Sequence, residues 1–479
     1  MKVLALIDNS IYNGLDKENT GYAEQTFKKV TEKAEKLAEA CLVAGPEQKG
    51  RSAGRDFFTW LADKAAGYDA VLYLFADEPF IDMELARKML ENHERYLADY
   101  SFAEGYPGGL APQVISTAVL PALADLAEKK AAEAGRSFIF ELIKRDINEF
   151  EIETEISALD LRSERIELNM AAKNNRIICK KILQAAGDEG AGSIMEIIDT
   201  RKELLWGCPV YYNFQITTES GQHTLYQPQT PFCHERFMDF ALFAAALEKI
   251  DRFSEEAVIG LAYLGDPSQH PQFSLFINEV AKYKKMRLHI ETSGAFWSSV
   301  DWQSLLNFDR ERLSLIILLD TLKEEVYRKI HGEGFAQAQA FTERALSELK
   351  DNTYIQTMRI NALEEELESF YRHFSAKTGN VIIQKYNSYC GALPDDMVID
   401  IAPLKRNVCW ALKRELTVRV DGTVFLCRQD VGNTVSLGNL FHKEPEEIWS
   451  AAEEYRLRHV KADYPELCKK CDEYYIFNF

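Results

Sequence analysis

The chain has 479 residues, too many for one ordinary core, so two or three domains are expected. Its 56 Lys+Arg stand against 75 Asp+Glu, a formal net charge of -19, which excludes a non-specific electrostatic grip on nucleic acid or anionic lipid. Apolar runs such as 240–247 and 315–319 fall well short of the roughly 20 residues that span a bilayer, and Asp8 breaks the apolar start too soon for a signal peptide. A cytoplasmic protein is expected, with no membrane or nucleic-acid partner. Which protein or small molecule it meets is left undefined. In that compartment nine cysteines are not structural disulfides, and five of them lie at or after Cys390, so their clustering points to metal or redox chemistry.

Residues 3–7 read as a first buried strand, followed by a charged helical stretch to Ala40 and a strand over 41–44. A further core strand, 70–75, runs into Asp77-Glu-Pro79 and a helix from about Met83. Strands alternating with helices predict a doubly wound, largely parallel α/β sheet, whose ligand loops follow the strands. The Asp-x-Pro turn, a later Gly105-Tyr-Pro-Gly-Gly109 turn and the segment Asp146-Ile-Asn148 resemble the nucleotidyltransferase and nucleotide-sugar transferase fold. That resemblance implies a nucleotide site and makes Asp77 a candidate magnesium ligand, although an Asp in such a turn is as often a helix cap. The loop Asp8-Asn-Ser-Ile-Tyr-Asn-Gly14 carries one glycine and no cation, unlike the basic, glycine-rich loop that cradles a triphosphate. A structural or nucleotide-binding remnant is expected over 1–185, with working nucleotidyl or glycosyl transfer as the alternative.

The composition of 186–205 shifts to Gly, Ala and Glu and predicts a linker. Beyond it, strand candidates at 211–217, 258–264, 288–291, 313–319, 354–360 and 381–384 are separated by helix-length stretches. Six such units predict a parallel, partly closed (β/α) barrel over 206–400.

Turns after these strands resemble those of radical SAM enzymes in their order. Gly265-Asp266-Pro267 is similar to the family's Gly-Glu-Pro, Glu291-Thr292-Ser293-Gly294 to its Thr-Asn-Gly, and Asp320 stands in the place of its Ser-Leu-Asp. The resemblance makes Gly265, Asp266, Pro267, Thr292 and Gly294 candidate S-adenosylmethionine contacts. The loop after the first strand departs from the pattern: where the family has C-x3-C-x2-C, this chain has Ser220, Thr224 and Gln227. Active members hold three irons of a 4Fe-4S cluster on those thiolates, and neutral hydroxyls and an amide offer no anionic anchor. A barrel that has lost radical initiation is therefore expected. Cys208 and Cys233 flank the loop at a separation that matches no compact ligand loop, and an unconventional cluster using them is the remaining alternative.

Over 401–479, Leu416, Val418 and Val420 alternate with Thr417 and Arg419, Asp421-Gly422 suggests a primed hairpin turn, and 424–426 returns to Cys427. The hairpin brings Cys409 and Cys427 toward one end, and Cys468-Lys-Lys-Cys471 supplies two more donors after a helix around 447–458. With Leu437-Gly438-Asn439 and Ile448-Trp449, this pattern is similar to the SPASM domain, which implies an auxiliary iron-sulfur cluster. Eight residues follow Cys471, so one four-thiolate cluster is expected, with Cys390 as a reserve donor. Zinc is the competing occupant, since four cysteines also satisfy a tetrahedral site. Taken together, the three regions resemble the group called spiro-SPASM proteins. An iron-sulfur protein acting in binding, electron transfer or assembly is expected.

Overall fold

The computed structural model describes residues 1–9, 17–45, 54–129, 135–187, 190–228, 236–403, 405–432 and 434–476. The chain divides into two compact units, Met1–Gly207 and Cys208–Phe479. Cys233 and residues 10–14 of the Asp8–Gly14 loop lie outside the described residues.

In the first unit β1 (Val3–Asp8), β2 (Ala40–Ala44), β3 (Ala70–Phe75), β4 (Tyr100–Glu104), β5 (Gln113–Ser116) and β6 (Ile152–Ile156) form one sheet in the order β2-β1-β3-β5-β4-β6. β1 and β3 are buried along their whole length, which is why both read as nearly continuous apolar runs. The sheet is mixed, not largely parallel. β1 is parallel to β2 and β3, and β4 to β6, but β5 runs antiparallel to both β3 and β4. The cause is the connection: eight residues around the Gly-Tyr-Pro-Gly-Gly turn lead from β4 to β5, too few for the crossover that a parallel pair needs.

The stretch expected as a linker carries a helix, Ala191–Thr200, and a short turn, Lys202–Leu205. Ala191, Ile194, Met195 and Ile198 recur at helical spacing and are buried in the same core as the inner residues of β1 and β3. Its first N–H, that of Ala191, donates to Asp82 Oδ2 at 2.8 Å.

The second unit holds a nine-stranded sheet. β7 (Tyr211–Phe214), β8 (Ala257–Leu261), β9 (Met286–Thr292), β10 (Leu313–Leu318), β11 (Thr353–Arg359) and β12 (Val381–Lys385) lie side by side in chain order, all parallel. All six strands fall where the sequence places them. Their outward residues, among them Tyr212, Phe214, Ile259, Leu288, Ile290 and Leu315, share a core with Phe243, Leu247 and Phe276 of the intervening helices. β13 (Glu415–Val418), β14 (Thr423–Phe425) and β15 (Ser436–Asn439) extend the same sheet: β13 pairs in parallel with β7, and the next two strands antiparallel. The sheet thus bridges the domain boundary expected near residue 401. Residues of β9 to β12 and Glu415 of β13 line one cavity, so the sheet curves around it as a partial barrel.

The tail hairpin turns differently from the primed form. Of its residues only Gly422 has a positive φ, +81°. Gly422 N–H donates to Arg419 O at 2.8 Å and Arg419 N–H to Thr423 O at 2.9 Å, a three-residue loop closed by a left-handed glycine. Among the described residues no helix is long and apolar enough to cross a membrane.

Candidate metal centre and barrel mouth

Cys409 precedes the helix Trp410–Arg414, Cys427 follows β14, Cys468 lies in the short helix Glu466–Lys469 and Cys471 comes just after it. These four thiols, far apart in sequence, line one cavity of about 350 Å³. Cys390, on the segment after β12, lines it too.

The walls fix the thiols in place. Arg406 donates to Cys468 O at 2.7 Å, and its guanidinium lies 4.1 and 4.6 Å from the ring centroids of Tyr464 and Tyr474. Lys385, at the end of β12, reaches Asp472 Oδ2 at 2.5 Å and Glu473 Oε1 at 2.6 Å, tying the Cys468–Cys471 knuckle to the barrel. Burial alone would lower the Lys385 pKa, but the Glu473 and Asp472 carboxylates hold it above its ordinary value. Glu473 N–H donates to Cys471 Sγ at 3.3 Å.

Burial pushes the Cys409 and Cys427 thiols well up and Cys468 up to about 12, each raised further by its neighbouring sulfurs. Four thiolates in one enclosed space repel one another unless a cation binds among them, and soft anionic donors suit a 4Fe-4S cube or tetrahedral zinc. In their chemistry these donors suit either group, but among the described residues no three or more of them are placed so as to hold a metal ion.

The barrel mouth has a different chemistry. Ser220 Oγ donates to Gln222 O, and Thr224 Oγ1 lies 3.0 Å from His331 Nδ1. Gly265, Asp266 and Thr292 line a second, small cavity of about 40 Å³ together with Ser220, Thr224 and Gln227. Pro267 opens the turn Pro267–Gln269, and Gly294 N–H donates to Thr292 Oγ1 at 3.1 Å. Gly265 has φ +88°, and a Cβ there would meet Thr217 O at 2.3 Å, so the turn requires glycine for its own shape. Asp266 is fully engaged: it accepts from Ser268 N–H and Oγ at 3.0 and 2.7 Å, from Thr292 Oγ1 at 2.9 Å, and from Ser293 N–H and Oγ at 2.8 and 2.7 Å. Neutral hydroxyls that are already hydrogen-bonded do not fit a cluster.

In the first unit Asp77 is not a helix cap. Asp82 takes that role, accepting from Leu85 N–H at 2.6 Å. Asp77 Oδ2 instead accepts from Arg136 at 2.5 Å, and the same guanidinium reaches Glu78 Oε1 at 2.8 Å. Arg136 thus brings a cation to the carboxylates for which the resemblance makes a magnesium ion a candidate. Burial pushes Glu78 up to about 8, with Arg136 opposing and Asp77 and Glu167 adding to the rise.

Two features went unread in the sequence. One of them is that Cys390, expected only as a reserve donor, lines the same cavity as the four tail thiols. The barrel interior is polar: the residues alternating with the outward apolar set include Asn213, Gln215, His289, Glu291, Glu415 and Thr417, all largely buried. The signal was present as period-two alternation in Tyr211-Tyr-Asn-Phe-Gln-Ile-Thr217. Arg428, deep in the cavity wall, is raised in pKa despite burial by Glu291 and Glu415.

Residues 409–472 match the SPASM family, an iron-sulfur cluster-binding domain. The chain is therefore an α/β protein whose residues 409–472 form a SPASM domain, and that domain implies iron-sulfur cluster binding. Over 359 residues it is 35% identical to an uncharacterized protein of Treponema pallidum (strain Nichols), covering 72% of this chain and 99% of that protein. The chain belongs to the family of that protein. Among solved structures it is similar to Streptococcus suis SuiB bound to precursor peptide SuiA, with a TM-score of 0.46 and 11% identity over 73% of this chain and 86% of that one. It is also similar to BtrN in complex with AdoMet and 2-DOIA, with a TM-score of 0.41 and 16% identity over 55% and 93%.

Proposed function

We propose that this chain carries one 4Fe-4S cluster on Cys409, Cys427, Cys468 and Cys471, and that it serves electron transfer, binding or assembly without radical SAM chemistry. The observation that supports this most is the convergence of those four thiols on one cavity, set against Ser220, Thr224 and Gln227 at the mouth. When bound, a cluster with four protein thiolates supplies a one-electron carrier and leaves no iron open to S-adenosylmethionine. Arg406 sets a cation beside the thiolates, Glu473 N–H donates to Cys471 Sγ, and the Lys385 clamp keeps the knuckle in register with β12. Backbone N–H donation to a ligating sulfur raises a cluster's reduction potential.

Purification under strict anaerobiosis with iron and sulfide tests the reading. About four irons and four sulfides per chain are expected, with zinc absent. Seven or eight irons together with cleavage of S-adenosylmethionine, or one zinc and no iron, would overturn it.

A further inference from the structure

At the position where the radical SAM resemblance expects a second cluster ligand, the chain has built a hydroxyl–imidazole–carboxylate chain. Thr224 Oγ1 is 3.0 Å from His331 Nδ1, and His331 Nε2 is 2.6 Å from Asp320 Oδ2. His331 and Asp320 are each 1% exposed. Asp320 also accepts from the Tyr226 hydroxyl, and from Met358 N–H at 2.6 Å.

The tautomer follows from these partners. An ionised carboxylate only accepts, so His331 Nε2 carries the proton, and the Nδ1 lone pair is left facing Thr224. The Tyr327 ring, 4.6 Å from the imidazole, and the edge-on Tyr226 ring at 5.9 Å hold it in that orientation. A hydroxyl within hydrogen-bond reach of a base that a third group orients is the arrangement that activates a nucleophile.

Two further observations set it apart from a packing contact. Asp320 is a non-glycine residue at φ +63°, a backbone state that costs about 1–3 kcal/mol and gathers at functional sites. It is held there by its N–H donating to Gln356 O at 3.1 Å and its carbonyl accepting from Thr357 Oγ1 at 2.8 Å. Thr224, moreover, is only part-buried and lines the 40 Å³ cavity. Gln227, Ala262, Glu291 and Leu318 line that cavity and the 350 Å³ one alike, so a small ester at Thr224 lies against the wall that the small space shares with the cavity of the tail thiols.

We propose that Thr224 is the nucleophile of an acyl-transfer site that takes small ester substrates, an activity separate from the tail cluster. Thr224 Oγ adds to the ester carbonyl carbon as its proton passes to His331 Nδ1. The carbon–oxygen bond to the alcohol then breaks, and the alcohol leaves with that proton. Water next attacks the acyl-threonine ester, gives a proton to Nδ1, releases the carboxylic acid and restores the hydroxyl. No oxidant or reductant takes part.

The test uses the full chain and an alkyl fluorophosphonate, which loses fluoride when a nucleophilic hydroxyl attacks phosphorus. One adduct is expected, mapped to Thr224 by peptide mass spectrometry and absent after denaturation, along with hydrolysis of p-nitrophenyl acetate. Thr224→Ser keeps both reactions. Thr224→Val, which preserves shape, and Asp320→Asn, which removes the orienting acceptor, slow both by about 10²–10⁴-fold at unchanged circular dichroism and iron content. A folded wild-type chain that takes no label, or a label that persists in Thr224→Val, overturns the assignment.

Discussion

Replacing Lys385 with methionine tests how the candidate metal centre is held. Lys385 is a buried cation shared between Asp472 at 2.5 Å and Glu473 at 2.6 Å, and it also donates to Tyr386 O at 3.2 Å. Methionine has nearly the same length, so the packing survives and the charge is lost. Removing one partner of a buried pair costs about 3–5 kcal/mol, because the other charge is left uncompensated. Asp472 is 26% exposed and regains some water, which places the cost near the lower end, about 3 kcal/mol. For a unit of this size that lowers Tm by roughly 6–12 °C. Iron retention should fall in step, since Cys471 immediately precedes the two carboxylates.

The pH dependence has a definite sign. Burial already holds the Glu473 carboxyl above its ordinary range, and loss of Lys385 removes a charge that opposes the rise. In the variant, the folded chain therefore binds a proton that the unfolded chain releases, so acidification stabilises it and narrows the gap to wild type. Thermal melts at about pH 8 and about pH 5, with iron measured after brief chelation, read both effects. A loss under about 1 kcal/mol at the higher pH, or a gap that widens on acidification, would refute the reasoning.

Three further outcomes are expected. Glu78 has a folded pKa near 8 against an ordinary 4.5, so the stability it confers is complete below about pH 4.5 and lost as pH rises through 8. Wild type should lose roughly 1 kcal/mol per pH unit relative to Glu78→Gln across that window, and parallel melting curves would contradict this. Gly422→Ala forces a left-handed alanine, at about 1–2 kcal/mol, and sets its Cβ 2.3 Å from the Phe441 ring, at about 1–3 kcal/mol more. Urea unfolding should show a loss in that combined range, and a neutral effect would mean that the hairpin rearranges. Cys390→Ala should keep about four irons whereas Cys468→Ala loses the cluster, and equal iron loss in both would make Cys390 a ligand.

The buried strands were legible because burial writes itself into composition, whereas β4, β5 and β6, which are short and only partly buried, were not read. β1, β3 and β10 are apolar runs between turn residues, and the six barrel strands fall where the alternation of strand and helix puts them. The direction of β5 was not legible, since a strand's own residues do not say which way it runs, and only the short connection around Gly105–Gly109 decides it. The helix 191–200 was hidden by flanking glycines, although its stripe of Ala191, Ile194, Met195 and Ile198 has helical spacing.

At the candidate metal centre, the spacing of Cys409, Cys427, Cys468 and Cys471 was enough to group them. Cys390, expected as a reserve donor, is brought to the same cavity by the segment after β12. The chain Thr224–His331–Asp320 spans 107 residues between its ends of contact, and no local pattern links a hydroxyl at a vacant ligand position to a histidine on a later helix. That Ser220, Thr224 and Gln227 are not cysteines is plain in the sequence, whereas the contact of Thr224 with His331 is visible only in three dimensions.

Mössbauer spectroscopy of anaerobic protein loaded with isotopically enriched iron, recorded with and without S-adenosylmethionine, tests the central claim most directly. One cluster with four sulfur-ligated irons, its spectrum unchanged by the cofactor and lost in Cys468→Ala, is the result predicted. A distinct iron whose signal shifts when S-adenosylmethionine is added would place a cluster at the barrel mouth and contradict the account.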